Sequence, residues 1–144
     1  VISIGNVHRA DTTVEAALGY AAGRRGKGVA FCRLATESRR HALRVPFQIA
    51  PRAPVNDRTV GYAALTEVAK ALCQRGFRHV SFTLDDPQIV DEIRTHSKLD
   101  DTPVLAYVRV RCALNALDTF DVKSGTTDDL TQRARAEVAL NLAA

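Results

Sequence analysis

The chain has 144 residues, 46% of them hydrophobic and 25% charged, with a net charge of +4. That length suits a single domain, residues 1–144, with a real core, and the composition is ordinary for a globular protein. No apolar run approaches the roughly 18 residues of a membrane span, no basic stretch leads into an apolar one as in a signal peptide, and the mild basic excess permits nucleic-acid binding without demonstrating it.

Residues 1–5, VISIG, are apolar and β-branched and read as an opening strand, and the polar run HRADTT after them reads as a loop. Residues 14–22, VEAALGYAA, leave helix and strand both open, because the alanines suit a helix and Gly19-Tyr20 suits a strand. GRRGKG, 23–28, is a turn. A strand is expected over 29–35, a polar turn over TESRR, 36–40, and a third strand over 41–50, where Pro46 argues for a sheet edge.

Asn56 and Asp57 are suited to cap a helix whose apolar stripe is Val60, Ala64, Val68 and Leu72, and Arg75-Gly76 ends it. FRHVSFTL, 77–84, alternates as a half-buried strand does. Asp86-Pro87 then reads as an N-cap followed by proline at the first helical position, opening a short helix to about Arg94. THSKLDDT is a loop, and VLAYVRVRC, 104–112, is expected to be the strongest strand of the chain. Residues 115–127 are a loop of open course, and Asp128 or Asp129 caps a last helix with Leu130, Ala134, Val138 and Leu142 on one stripe. The order is β-β-β-α-β-α-β-α. Tight turns between the early strands imply an antiparallel meander, and helices between the later ones imply parallel crossovers. The expected fold is α/β, a mixed five-stranded sheet with flanking helices.

Three cysteines, Cys32, Cys73 and Cys112, are widely spaced, and neither they nor the four histidines form a metal-ligand pattern. They are expected to be buried reduced thiols of a cytoplasmic protein. The chain starts at Val1 and contains no Met, so it reads as an excised segment that leaves room for neighbouring domains. Positive charge is clustered in Arg24, Arg25 and Lys27 and again in Arg39, Arg40 and Arg44. Each knot is either a solvated hairpin tip or a phosphate contact.

Several runs together resemble the ribonuclease H family. Gly19-Tyr20-Ala21-Ala22 resembles the Gly-Tyr-Gly-like run that marks the family's second strand. Asn56-Asp57 and Tyr62-Ala63-Ala64-Leu65 keep the frame of its first helix, Asn-Asn-x-x-Glu-Tyr-x-Ala-Leu, with Gly61 at the Glu. Asp85-Asp86-Pro87-Gln88-Ile89-Val90 resembles Asp-Ser-x-x-Val-Val at the fourth strand, with Asp85 as the acid and Asp86 as the cap. Asp128-Asp129-Leu130-Thr131-Gln132-Arg133 resembles the opening of the last helix, with Asp128 as the acid. Counting back from Gly19 puts Gly5 or Asn6 where the first strand of the family ends in Asp.

The resemblance implies hydrolysis of the RNA strand of an RNA–DNA hybrid by two Mg²⁺ ions held by carboxylates about 4 Å apart. Here only Asp85 and Asp128 remain as candidate ligands for Mg²⁺ or Mn²⁺, unless Asp11, Asp57 or Glu67 substitutes from another position. Two readings follow. In the first, the chain is a catalytically degenerate ribonuclease H-like module that binds an RNA–DNA hybrid or another nucleic acid through Arg24, Arg25, Lys27, Arg39 and Arg40, or serves a protein partner or a neighbouring domain. In the second, it is an active Mg²⁺- or Mn²⁺-dependent endonuclease with a rearranged acid set.

Overall fold

A computed structural model describes residues 12–95 and 103–143. The expected strand at 1–5, the Gly5 and Asn6 positions, Asp11 and most of the THSKLDDT loop lie outside the described residues.

Strands β1 (Thr13–Ala22), β2 (Lys27–Ala35) and β3 (Arg40–Gln48) form the antiparallel meander. Helix α1 (Asp57–Gln74) leads to β4 (His79–Leu84), which lies parallel to β1. Helices α2 (Pro87–Thr95) and α3 (Val104–Asn115) follow, then β5 (Thr119–Ser124), parallel to β4, and α4 (Asp128–Ala143). The sheet order is β3-β2-β1-β4-β5, so β1 is central and β3, with Pro46, is an edge.

Alternation along the strands assigns the two faces. Val14, Ala16 and Leu18 of β1 and Ala30, Cys32 and Leu34 of β2 join the main core with Tyr62, Leu65, Val68 and Leu72 of α1. Ala17 and Ala21 of β1 and Val29 and Phe31 of β2 point the other way, onto Leu130, Ala134 and Val138 of α4. Residues 14–22, open between helix and strand in the sequence, are strand because both of their faces are covered. The N-terminus of α1 carries a reciprocal cap: Asn56 Oδ1 accepts from Thr59 N–H at 2.9 Å, and Asn56 N–H donates to Thr59 Oγ1 at 2.9 Å.

One expected element is corrected. VLAYVRVRC is not a strand but most of helix α3. Its buried residues are Tyr107, Val110, Ala113 and Leu114, a helical spacing, while Val104, Leu105 and Val108 are exposed. Packing against α1, with Tyr107 edge-on to Tyr62 at 6.2 Å, overrides the strand preference of the valines. The fifth strand lies instead in the stretch of open course, at Thr119–Ser124. The same helix corrects the expectation for the thiols. All three cysteines are free, but only Cys32 is buried, where burial pushes its thiol up to about 12; Cys73 is half-buried and Cys112 is exposed on α3. Among the described residues no helix is long and apolar enough to cross a membrane.

Candidate functional site

The parallel pairing of β1 and β4 stops where β4 ends, while β1 continues to Ala22. Their pairing runs as far as Leu18 and Leu84, and two residues further along the chain from each stand Tyr20 and Asp86. Helices α1, α2 and α4 all begin at this end of the sheet. The strand ends and the three helix starts enclose an open cleft of about 620 Å³, whose polar lining includes Tyr20, Asp57, Asp85, Asp86, Asp128 and Arg135. Carboxylates are favoured here because helix N-termini present unpaired N–H groups and a partial positive charge. Asp86 shows it directly: its Oδ1 accepts from Ile89 N–H at 3.1 Å and caps α2. Asp128 and Asp129 both lie within the first turn of α4 rather than ahead of it, and Asp129 is ion-paired to Arg33.

Among the described residues, the strand that runs parallel beside β4 toward Asp85-Asp86 is the one carrying Gly19-Tyr20. Gly19 and Tyr20 face opposite ways. At Gly19 a Cβ would lie 2.2 Å from Thr131 N and 2.4 Å from Leu130 C, so the backbone of α4 presses directly on β1 and only glycine fits. Tyr20 faces α1. A Cβ on Gly61 would lie 2.9 Å from the Tyr20 hydroxyl and 2.4 Å from Ile89 Cδ1. The phenol therefore occupies the room left by the bare backbone of Gly61. Burial raises the pKa of Tyr20, and the neighbouring charges of Asp86, Asp57 and Asp85 raise it further, so the group is a neutral phenol among carboxylates.

Beneath the cleft α1 is tied to α2. Glu92, 2% exposed, accepts from the Tyr62 hydroxyl at 2.8 Å and pairs with Arg58 Nη2 at 3.2 Å, the second contact being charge pairing without hydrogen-bond alignment. Glu67 lies away from the cleft and pairs with Lys70 at 3.8 Å. Among the described residues no three or more His, Cys, Asp or Glu side chains are grouped to hold a metal ion.

The basic residues separate into two places. Arg24, Arg25 and Lys27 sit at the β1–β2 hairpin, at the same end of the sheet as the cleft. Arg39 and Arg40 sit at the β2–β3 turn, at the other end of the nine-residue strand β2, about 30 Å away by strand rise. Sequence reasoning brought Asp85 and Asp128 to one site, and both line the cleft. It missed Tyr20 and Arg135. The alternation Val14, Ala16, Leu18, Tyr20 was the available signal for Tyr20, obscured by the alanines around it. Arg135 gives no local signal, because only the packing of α4 on β1 turns it to the cleft.

No protein-family model matches the sequence, and a search of curated proteins finds no significant match. Solved structures do match. Ribonuclease H1 from the halophilic archaeon Halobacterium salinarum superposes with a TM-score of 0.68 at 18% identity, over 90% of this chain and 98% of that one. The N-terminal ribonuclease H domain of a Mycobacterium tuberculosis protein gives 0.67 at 12% identity, over 92% and 99%. LC11-RNase H1, solved in complex with an RNA/DNA hybrid, gives 0.67 at 13% identity, over 91% and 99%. Sheet order, crossover pattern and these superpositions agree: the chain has the ribonuclease H-like fold.

Proposed function

We propose that this domain binds nucleic acid, an RNA–DNA hybrid or another duplex, through the end of the sheet that carries the cleft, and that it does not hydrolyse it. The observation that carries the second half is the Tyr20 phenol seated over Gly61. In the resemblance Gly61 stands at the first-helix Glu, and where β1 runs on beside Asp85-Asp86 this chain offers Gly19 and Tyr20, neither of them an acid. A two-metal site needs carboxylates converging on both ions, and a neutral phenol is no substitute for an anionic oxygen ligand of a hard cation. Asp85, Asp86, Asp57 and Asp128 line the cleft, but among the described residues no three acids are grouped to hold an ion, so the donor set does not fit a pair of Mg²⁺ or Mn²⁺ ions. The first half draws support from the basic hairpin at the same end and from LC11-RNase H1, whose structure holds an RNA/DNA hybrid.

The test is a cleavage and binding assay on a labelled RNA–DNA hybrid with Mg²⁺ and with Mn²⁺. Binding that weakens with salt, with no cleavage in either metal, is the expected result. Cleavage that is abolished by Asp85→Asn would overturn the non-hydrolytic reading. Absence of binding to any duplex at low salt would leave a protein-interaction or structural role in its place.

A further inference from the structure

The face of the sheet under α4 is crossed by a ladder of charged contacts. Arg33 of β2 pairs with Asp129, Arg133 stacks over the Phe31 ring at 4.5 Å, and Arg44 Nε of β3 donates to Glu137 Oε1 at 2.6 Å. Asp129 and Glu137 are thereby matched, and α4 carries no further acid beyond Glu137. The ladder ends in a second open groove of about 600 Å³ between α4 and the β1–β2 hairpin. Four cations line it, Arg24, Arg25, Lys27 and Arg44, against one carboxylate, Glu137, which Arg44 already engages.

The hairpin that presents these cations is pinned. Gly26 N–H donates to Gly23 O at 2.9 Å and Gly23 N–H to Lys27 O at 3.0 Å. The Gln48 side-chain amide holds the tip against β3 by donating to Arg25 O and Ile49 O, both at 3.1 Å. The cations are thus displayed from a fixed backbone, although their own side chains are exposed. Val138 borders both this groove and the acidic cleft, so the two adjoin.

We infer that the groove is a seat for backbone phosphates of a nucleic-acid strand that continues from the cleft. The inference rests on the nucleic-acid reading proposed above and locates where on the molecule affinity is concentrated. Guanidinium forks suit phosphate oxygens. An open groove continuous with a second one suits a polymer of phosphates better than an isolated anion, which wants enclosure.

The experiment compares two double charge reversals at exposed positions, Arg25→Glu/Lys27→Glu in the groove and Arg39→Glu/Arg40→Glu at the far end of the sheet, by fluorescence anisotropy of a labelled hybrid over a salt series. Thermal melts by circular dichroism confirm that both variants are folded. The groove pair is expected to weaken low-salt binding at least about tenfold and to flatten the salt slope by about 0.7–0.9 for each phosphate no longer neutralised, while the far pair stays within about threefold of wild type. Equal weakening in both variants, or unchanged binding by the groove variant, overturns the seat while leaving nucleic-acid binding intact. If wild-type protein binds no hybrid, yet a free mononucleotide shifts the Gly28 and Gln48 amide resonances, the polymer assignment falls. If it binds neither, both readings fall together.

Discussion

Two glycines near the cleft differ in what they touch, and that difference is measurable. The space above Gly19 is closed by backbone, with Thr131 N at 2.2 Å and Leu130 C at 2.4 Å from where a Cβ would stand. Relief would require α4 to lift from β1 and disturb the packing of Leu130 and Ala134. The space above Gly61 is closed by the far end of Ile89, at 2.4 Å, and by the Tyr20 hydroxyl, at 2.9 Å. Side-chain ends can rotate or shift. Gly61→Ala also gains about 1 kcal/mol of helix propensity. Gly19→Ala is therefore expected to cost about 3 kcal/mol or more, and Gly61→Ala about 1 kcal/mol or less, in urea unfolding. A larger cost at Gly61 than at Gly19 would mean that α4 does not press on β1 as described.

At the scale of elements, α1 and α2 are joined by the buried group Arg58, Tyr62 and Glu92. Arg58→Met removes the guanidinium that stands 3.2 Å from the buried Glu92 carboxylate, which is expected to cost about 3 kcal/mol or more. Adding Glu92→Met removes that carboxylate as well, so the double variant should recover part of that stability, read as the shift in urea midpoint at constant m-value. A double variant as unstable as the sum of its single changes would show that Arg58 and Glu92 act independently. Which elements were legible in sequence follows the same physics of packing. The α1 stripe and its caps, the alternation of β4 and the Asp86-Pro87 start of α2 are local signals, and local hydrogen bonds fix those elements. VLAYVRVRC misleads because valine favours strands by its own shape, while the deciding contact, Tyr107 on Tyr62, comes from an element more than forty residues away. Strand β5 offers only six residues, with Val122 alone deeply buried, too little alternation to read without its partner β4.

For the molecule as a whole, the chemistry was legible in part for a similar reason. Asp85 and Asp128 announce themselves beside helix starts, but Tyr20 gains its meaning only when β1 is seen to lie parallel to β4 and to turn the Tyr20 phenol against Gly61. That placement also couples the cleft to global stability through proton binding. Burial raises the pKa of both Tyr20 and Tyr62; nearby carboxylates add to it at Tyr20, and the hydrogen bond to Glu92 adds to it at Tyr62. In the folded protein both phenols keep their protons to higher pH than in the unfolded chain, where they titrate near 10. A folded pKa above the unfolded one gives stability that is fully present below about pH 10 and declines as pH rises beyond it, because the unfolded state then releases protons that the folded state holds. Each phenol contributes at most about 1.4 kcal/mol per pH unit in that window. Urea midpoints measured from about pH 8 to about pH 11 should begin to fall near pH 9, where the Cys32 thiol ionises in the unfolded chain but is held protonated by burial in the folded one, and fall more steeply beyond about pH 10. In Tyr20→Phe the fall should be shallower than in wild type, with the neutral-pH stability of the variant as its own baseline. An unchanged slope would mean that Tyr20 ionises as freely in the folded protein as in the unfolded chain, and hence that its phenol is not held among the carboxylates over Gly61.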